Sequence, residues 1–374
     1  MKRTLLLFVV AIEMLGCRHA SIEREVLEKA EYGEENPVFV EETTTSIVGF
    51  TKAGDVAVFD GQTGEIKSSV EGGGGTPRDV AVDPWREGVW VYEENEDASG
   101  GEIRFCKLEN TFGEANGGRG VLHSCEHTAW VDGVAALLPA REGLWVFEDG
   151  IGGARWKVLG TGTITPSVSA PRPASVWMEG ERVEALSYGF YGDQLVKVGA
   201  IFGGAGPTIV EQFDWGTPAG YPPTARYARL SHDAGLLFDA AGGTLTVRRV
   251  TGGEIGLPRV IDVGIQVSRV EAALAVGAST LVLGTDALWI VEADESGVEL
   301  MSGLWLNGDV RVSDLFFSRD LLVTQDRAFV ATDRGVRAIV LEKDGDVVVN
   351  AFLDELFVGE WFRGPLDVVR GTSL

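Results

Sequence analysis

Short apolar segments followed by a glycine-containing turn recur along most of this chain. From residue 38 onward, runs rich in Val, Leu, Phe and Trp are interrupted every few residues by Gly, Asp or Asn, a pattern typical of β-strands joined by tight turns. Segments of this kind are residues 56–60, 88–92, 143–149, 183–188, 235–239, 287–292 and 328–333, of which 183–188 is the most divergent. The pattern argues against a helical repeat, which needs apolar residues at positions i, i+3 and i+4.

The spacing of the units indicates how many strands each one holds. Further strands are predicted upstream of the hairpins at residues 79–82, 128–131, 175–178 and 311–315. Val80, Trp130 and Val176 occupy equivalent positions and recur with a period of about 40 to 50 residues, as expected for four-stranded units arranged around an axis.

The two ends of the chain complement each other. The first unit lacks a strong upstream strand, and residues 365–370 form a C-terminal strand without a partner in its own unit. Pairing of these ends would remove an exposed sheet edge. We therefore predict an all-β fold for residues 38–374, a seven-bladed β-propeller of four-stranded antiparallel blades closed by pairing of the N- and C-terminal strands.

One turn carries a more specific resemblance. Residues 60–65, Asp-Gly-Gln-Thr-Gly-Glu, resemble the turn of quinoprotein-like repeats, although the other units depart from it. The chain as a whole resembles the broad group of propellers with quinoprotein-like, YVTN-like or NHL-like repeats. The resemblance implies the architecture and no single family.

The N-terminus has the organisation of an export signal. Lys2 and Arg3 precede the apolar residues 5–12, and the segment ends in Met-Leu-Gly-Cys at Cys17. This segment resembles the lipobox of bacterial lipoproteins, which implies a signal peptide at residues 1–16 and acyl chains on Cys17. An ordinary secretory signal cut nearby is the alternative. Residues 17–37 are charged and glycine-poor, and we interpret them as an acidic tether.

Together these features predict a membrane-anchored lipoprotein of the cell envelope. In enteric-type lipoproteins, an aspartate directly after the lipidated cysteine resembles an inner-membrane retention signal. This chain has Arg18 at that position, which favours the outer membrane. The formal net charge of −24 repels phosphate backbones and anionic lipid headgroups. Nucleic acid is therefore excluded as a partner, and the lipid is expected to be the only membrane contact.

The cysteines allow two interpretations. With Cys17 lipidated, Cys106 and Cys125 remain in an oxidising compartment, where a disulfide is expected. The alternative is a metal site, because His123, Cys125 and His127 alternate along a predicted strand and would share one face. The disulfide is favoured, because an oxidised cysteine is no longer a thiolate ligand.

The remaining motifs predict no enzyme class and no cofactor. The sequence contains no Gly-x-Ser-x-Gly, His-Glu-x-x-His, P-loop or EF-hand motif. Residues 72–75, four consecutive glycines, are interpreted as a loop between blades. The acidic residues Glu93, Glu94, Glu96 and Asp97 are interpreted as a solvated turn or a loose Ca²⁺ site.

The tryptophans fall into two groups. Trp90, Trp145 and Trp289 are at equivalent hairpin positions and are expected to pack between blades. Trp85, Trp215 and Trp361 lie in less regular segments and are predicted as exposed contacts.

The predicted function is a lipid-anchored envelope propeller that acts as a protein-binding or scaffolding module for another envelope protein. The resemblance to lipoprotein propellers implies such a role without specifying it, because some of them help to assemble outer-membrane proteins. One alternative is a propeller-type hydrolase or lyase, such as a lactonase, with a metal at the mouth of the channel. Only His123, His127 and His232 follow His19, which is few for such a site. The other alternative is a carbohydrate-binding propeller.

Overall fold

The computed structural model describes residues 46–368, except residues 98, 112–118, 151–152, 161–162, 165–167, 170–171, 180–181, 189–194, 204–205, 215–224, 232, 253, 264–268, 286, 294–297, 307–320, 324–325 and 333. The predicted signal peptide, Cys17 and the tether lie outside the described residues, as do Trp215, His232 and the predicted strand at 311–315. Among the described residues, no helix has the length and hydropathy needed to cross a bilayer.

Strands account for all the regular secondary structure of the described residues, which contain no helix. In chain order the strands are β1 (Ser46–Thr51), β2 (Val56–Asp60), β3 (Ile66–Val70), β4 (Thr76–Asp83), β5 (Gly88–Glu94), β6 (Gly101–Thr111), β7 (Arg119–Val131), β8 (Val134–Ala140), β9 (Gly143–Gly150), β10 (Gly153–Gly160), β11 (Thr163–Ile164), β12 (Val168–Ser169), β13 (Arg172–Glu179), β14 (Arg182–Tyr188), β15 (Leu195–Gly203), β16 (Gly206–Asp214), β17 (Arg226–Arg229), β18 (Ala234–Ala241), β19 (Thr244–Thr251), β20 (Glu254–Ile255), β21 (Arg259–Asp262), β22 (Val270–Val276), β23 (Ser279–Gly284), β24 (Ala287–Ala293), β25 (Val298–Trp305), β26 (Leu321–Val323), β27 (Arg327–Thr332), β28 (Gly335–Asp344), β29 (Val347–Leu353) and β30 (Phe362–Val368).

These strands pair antiparallel in seven sheets within the described residues. In order along the chain, the sheets are β30-β1-β2-β3, β4-β5-β6-β7, β8-β9-β10-β11, β13-β14-β15-β16, β17-β18-β19-β20, β22-β23-β24-β25 and β26-β27-β28-β29, with β12 added to β10 and β21 to β19. We number them first to seventh in this order. The prediction of an all-β protein built from four-stranded antiparallel sheets is confirmed.

One strand assignment is wrong. Residues 128–131 were predicted as the upstream strand of the hairpin at 143–149, but they belong to β7, where Trp130 pairs with Glu102 in the second sheet. The upstream strand is β8, which pairs with β9. Only Asp132 and Gly133 separate β7 from β8, so the outer strand of one sheet and the first strand of the next read as one apolar stretch.

The C-terminal strand joins the first sheet. In β30, Phe362 pairs with Thr51 and Val368 pairs with Ile47. The Phe362 ring also stacks on Phe59 with 4.0 Å between ring centroids. The two ends of the described chain are thereby held in one sheet by backbone hydrogen bonds and by a buried aromatic contact.

The hydrophobic core is divided into seven clusters, and each cluster fills the space between two consecutive sheets. The series includes a cluster between the seventh sheet and the first, where Phe329 and Phe59 both contact Phe357. Trp90, Trp145 and Trp289 are buried in these clusters, which confirms their predicted packing role.

Carboxylates on the first strands also tie neighbouring sheets together. Asp367 Oδ2 in β30 accepts a hydrogen bond of 2.8 Å from the Val82 amide in β4. Asp79 Oδ2 in β4 accepts one of 2.6 Å from the Leu137 amide in β8. The first, second and third sheets are therefore fixed relative to one another along these strands.

Candidate functional site

The disulfide predicted from the sequence is present. Cys106 in β6 and Cys125 in β7 lie directly opposite each other in the strand register and are bonded. Cys106 is fully buried in the cluster between the first and second sheets. The bond therefore joins the outer two strands of the second sheet at the edge of a hydrophobic core.

The predicted sharing of one strand face by His123 and Cys125 is wrong. In the β6–β7 register, Cys106 pairs with Cys125 but Leu108 pairs with Leu122, so β7 carries an extra residue between them. This β-bulge reverses the alternation of side chains. Consequently His123 lies on the opposite face, where its Nε2 is 2.7 Å from Glu109 Oε2.

His127 has a different environment. It pairs with Arg104 in the register, and its Nδ1 lies 2.7 Å from Glu102 Oε1. Both histidines are about half exposed. Within the part of the chain that the structure describes, no group of three His, Cys, Asp or Glu side chains is placed to hold a metal ion.

A buried carboxylate, Glu93, lies on the same sheet and pairs in the strand register with Glu102, the residue that His127 contacts. Glu93 is at the end of β5, and it shares a strand face with Val89 and Val91, which pack against the first sheet. Its side chain is only 2% exposed. The interpretation of residues 93–97 as a solvated turn is therefore wrong for Glu93, because packing of the two sheets covers it.

The two carboxylate oxygens of Glu93 have different partners. Oε2 accepts a hydrogen bond of 2.6 Å from the Gly73 amide and lies 3.7 Å from Arg104 Nη1. Oε1 is buried and has no hydrogen-bond partner among the described residues. A buried acceptor without a partner costs free energy, typically about 1–3 kcal/mol, which makes this oxygen unusual in a native fold.

The four-glycine loop covers this carboxylate. Residues 72–75 connect β3 of the first sheet with β4 of the second, which confirms their interpretation as a loop between sheets. A Cβ atom on Gly73 would collide with Glu93 Oε2, and one on Gly72 would collide with the Gly54 carbonyl and lie 3.0 Å from Glu93 Oε1. Glycine is required here because the loop backbone lies directly on the carboxylate.

An arginine of the first sheet faces the same place. Arg363, near the start of β30, has an Nε that is buried without a hydrogen-bond partner in the described chain. Its Nη2 lies 3.3 Å from the position of a Cβ on Gly54, the residue that also contacts Gly72. Burial lowers the pKa of Arg363, and the charge of Glu93 opposes that shift.

A row of side chains continues from Glu93 to the outer edge of the second sheet. Glu93 pairs with Glu102 in the register, and Glu102 pairs with Trp130. Trp130 is 63% exposed, and its ring centroid lies 5.4 Å from that of His127. We call Glu93, Glu102, Arg104, His127, Trp130 and Arg363 the Glu93 cluster.

Burial raises the pKa of Glu93, and the Gly73 amide and Arg104 oppose the shift while the charge of Glu102 adds to it. A carboxyl group with a raised pKa beside a second carboxylate is an arrangement that can exchange protons with a bound molecule. The chemistry available to the Glu93 cluster is therefore hydrogen bonding to a polar ligand and proton transfer.

The third sheet provides an internal comparison. Glu148, like Glu93, follows a buried tryptophan by three residues and is buried near the end of the second strand of its sheet. There Lys157 Nζ donates to Glu148 Oε1, and both side chains are about 10% exposed or less. The same position thus carries a paired, structural carboxylate in the third sheet and an incompletely paired one in the second.

The predicted exposed tryptophans lie elsewhere. Trp85 is 52% exposed in the turn between β4 and β5, at the opposite end of these strands from Glu93. Trp361 is 67% exposed, and its carbonyl accepts a hydrogen bond from the Lys52 amide just before β30. Four residues near Glu93 were not predicted as site residues: Glu102, Arg104, Trp130 and Arg363. Alternation within β6 and β7 is the available signal for the first three, and no local pattern places Arg363, which lies in β30.

The four-stranded antiparallel sheets and the similarity to solved structures define an all-β protein of the propeller class. A Bacteroides fragilis protein provisionally described as a 6-phosphogluconolactonase matches with a TM-score of 0.58 and 12% identity over 90% of this chain and 100% of its own. A Bacteroides uniformis protein with the same provisional description matches with a TM-score of 0.57 and 11% identity over 88% of this chain and 100% of its own. A Lactobacillus plantarum protein matches with a TM-score of 0.58 and 12% identity over 87% of this chain and 100% of its own.

At these identities the similarity shows the fold alone. No protein-family model matches the sequence, and no curated protein matches it.

Proposed function

We propose that the seven sheets are the blades of a seven-bladed propeller closed by the pairing of β30 with β1. The cyclic series of hydrophobic clusters supports this arrangement, because the cluster between the seventh and first sheets completes the series. A closed ring has no open sheet edge between its ends and holds loops of neighbouring blades in fixed positions.

We propose that the protein binds a small polar ligand at the Glu93 cluster. The observation that carries this proposal is the buried Glu93 carboxylate, whose Oε1 has no partner in the described residues although an equivalent carboxylate, Glu148, is paired with a lysine. Natural proteins keep such unfavourable groups where function requires them. A ligand that displaces the covering glycine loop and bonds to Oε1 would remove the cost of leaving this oxygen unpaired.

The test is ligand binding by calorimetry with wild-type protein, Glu93→Gln and the control Glu109→Gln. Glu109 is on the same strand as Glu102 but is 58% exposed. The probes are D-glucose, gluconate, glucose 6-phosphate and inorganic phosphate. We expect at least one probe to bind wild-type protein and Glu109→Gln alike, and Glu93→Gln at least about tenfold more weakly. Equal binding to all three proteins, or binding to none, would contradict the proposal.

A lactonase-type hydrolase is the second candidate function. Its specific support is the raised pKa of Glu93 next to Glu102, a pair suited to acid and base roles. The provisional description of the similar Bacteroides proteins is consistent with this chemistry. Hydrolysis of glucono-δ-lactone, above the uncatalysed rate and abolished by Glu93→Gln, would support it; an unchanged rate in that variant would exclude Glu93 as the catalytic residue.

We propose that the whole chain is a protein of the cell envelope that is anchored to the membrane by acyl chains on Cys17. The support is the N-terminal sequence, which resembles a lipobox. The exposed Trp85 and Trp361 are candidate contacts for a protein partner in the envelope. In-cell cross-linking of wild-type protein and Cys17→Ser tests both parts, and a single envelope partner that is lost in the variant would support the scaffolding role.

A further inference from the structure

The segment that connects β29 of the seventh sheet to β30 of the first, residues 354–361, exposes apolar side chains to solvent. Leu356, Val358 and Trp361 are all exposed, and Leu356 is 85% exposed. Within the part of the chain that the structure describes, no segment of this length elsewhere exposes three large apolar side chains. Clustered exposed apolar side chains commonly mark an interaction site, because their contact with water is unfavourable.

A buried ring anchors this segment to both sheets. Phe357 lies between the exposed Leu356 and Val358 in the chain, and it is buried. Its ring packs against Phe59 of the first sheet and Phe329 of the seventh. Only one residue separates Leu356 from Val358, so their Cα atoms are at most about 7 Å apart. The two side chains can therefore contact the same partner.

Backbone hydrogen bonds hold the same segment in place. The Val358 amide donates to the Thr63 carbonyl of the first sheet at 3.2 Å. The Gly359 carbonyl accepts from the Val336 amide of the seventh sheet at 2.9 Å. A partner that binds here costs little conformational entropy in this segment, because its backbone is already fixed on both sides.

Two carboxylates flank the exposed apolar pair. Glu355 directly precedes Leu356 and is exposed. Glu65 is exposed in the turn between β2 and β3, and it follows Gly64, where a Cβ atom would collide with the Val358 carbonyl. Neither carboxylate forms an ion pair with another described residue. We call Glu65, Glu355, Leu356 and Val358 the Leu356 patch.

Neighbouring charges leave these two carboxylates unbalanced. Lys67 Nζ is paired with Asp60 Oδ2 at 3.1 Å. Arg327 Nη1 is paired with Asp354 Oδ2 at 2.6 Å. These pairs neutralise themselves, so the Leu356 patch combines apolar side chains with negative charge, in a chain whose formal net charge is −24.

This combination favours a basic protein segment over other occupants. Exposed carboxylates repel the phosphate groups of lipid headgroups, and they attract lysine and arginine side chains. A second copy of this chain, docked patch to patch, would place like charges together. The apolar pair between the carboxylates requires apolar side chains beside the cations of the partner.

We infer that the Leu356 patch docks a segment of a protein partner in which lysine or arginine residues lie beside apolar residues. The apolar side chains of the partner pack on Leu356 and Val358, and its cations pair with Glu65 and Glu355. This inference rests on the proposed contact with a protein partner and names the chemistry of that partner. It does not depend on ligand binding at the Glu93 cluster.

The experiment measures the binding of short peptides to the full-length protein by fluorescence anisotropy. The main probe is a labelled synthetic peptide of about ten residues in which lysine and leucine alternate, and two comparison peptides carry glutamate in place of lysine or serine in place of leucine. The variants are Leu356→Ser and Glu355→Gln, and their matched controls are Leu257→Ser and Glu254→Gln. Leu257 is 88% exposed, so neither leucine substitution removes core packing.

We expect the main probe to bind wild type and both controls equally. It should bind Leu356→Ser at least about fivefold more weakly because apolar contact is lost, and Glu355→Gln about twofold to fivefold more weakly at low salt. Both comparison peptides should bind wild type more weakly than the main probe does. Equal affinities of the main probe for Leu356→Ser and Leu257→Ser, or no binding at all, would overturn the inference.

Two further outcomes would overturn it and leave other proposals intact. Phosphatidylcholine vesicles that bind wild type but not Leu356→Ser, without binding of the main probe, would assign the patch to a lipid surface. An envelope partner that is cross-linked in cells equally by wild type and Leu356→Ser would keep the scaffolding role and remove the Leu356 patch from it. Ligand binding at the Glu93 cluster is measured with other probes, so its outcome is independent of these results.

Discussion

Replacement of two equivalent glutamates should have opposite effects on stability. In Glu148→Gln, Lys157 keeps its charge in a buried position and loses its carboxylate partner. Breaking a buried ion pair in this way typically costs about 3–5 kcal/mol. In Glu93→Gln, the amide oxygen can still accept from the Gly73 amide, and Arg104 keeps its hydrogen bonds to the Glu71 and Cys125 carbonyls. The change removes a charge that burial disfavours, so we expect the free energy of unfolding at pH 8 to rise by about 1 kcal/mol.

The raised pKa of Glu93 determines how its contribution to the free energy of unfolding changes with pH. Burial raises the pKa of Glu93 above its ordinary value of 4.5 in the folded state, so between the unfolded and folded pKa values the folded protein holds the additional proton. The contribution of Glu93 to stability is therefore present below about pH 4.5 and is lost as the pH rises through the folded pKa. Each pH unit by which the pKa is raised corresponds to about 1.4 kcal/mol.

The assay is urea denaturation of wild type and both variants at pH 5 and pH 8, followed by tryptophan fluorescence. The gain in Glu93→Gln over wild type should be larger at pH 8 than at pH 5, whereas Glu148→Gln should be destabilised at both. For a unit of this size, about 3 kcal/mol corresponds to a fall of about 4 °C in Tm. A destabilised Glu93→Gln, or a difference that does not change with pH, would refute the reasoning that Glu93 is buried at a cost.

Three other outcomes are expected. Double replacement of Cys106 and Cys125 by Ser opens a link with a sequence separation of 19 residues, and it should lower the free energy of unfolding by about 3 kcal/mol in guanidinium titrations, an effect that reductant should reproduce in wild type. Phe362→Ala removes a fully buried ring stacked on Phe59 and should lower the free energy of unfolding by about 3–5 kcal/mol in the same assay. The control Phe352→Ala changes a half-exposed ring and should lower it by less than about 1 kcal/mol. Equal losses would argue against the importance of the β30–β1 contact. Cys17→Ser should move the protein from the membrane to the soluble fraction of lysed cells, and retention in the membrane would refute the lipid anchor.

Local sequence patterns predicted much of the fold. The described residues of the seven predicted hairpin segments lie in strands, and Trp90, Trp145 and Trp289 pack between sheets, because alternation and turn residues report directly on local burial. The Cys106–Cys125 disulfide was predicted from the expected oxidising compartment and from the two cysteines that remain after Cys17. Assignment of residues 128–131 failed because a two-residue connection hides the change from one sheet to the next.

The Glu93 cluster could not be predicted from the sequence. Glu93 begins an acidic run, which ordinarily indicates a solvated turn, and only contact with the first sheet buries it. Arg363 is far from Glu93 along the chain and approaches it because β30 belongs to the first sheet. The bulge in β7 changes which side chains share a strand face, and no residue pattern in the sequence predicts this bulge.

The most direct test of the ligand-binding proposal is a high-resolution crystal structure of the protein soaked at neutral pH with the probe that binds in calorimetry, which is D-glucose, gluconate, glucose 6-phosphate or inorganic phosphate. We expect a polar group of the bound probe within hydrogen-bond distance of Glu93 Oε1. A structure in which the probe is absent from this place, and Oε1 is bonded only to an ordered water molecule, would contradict the proposal.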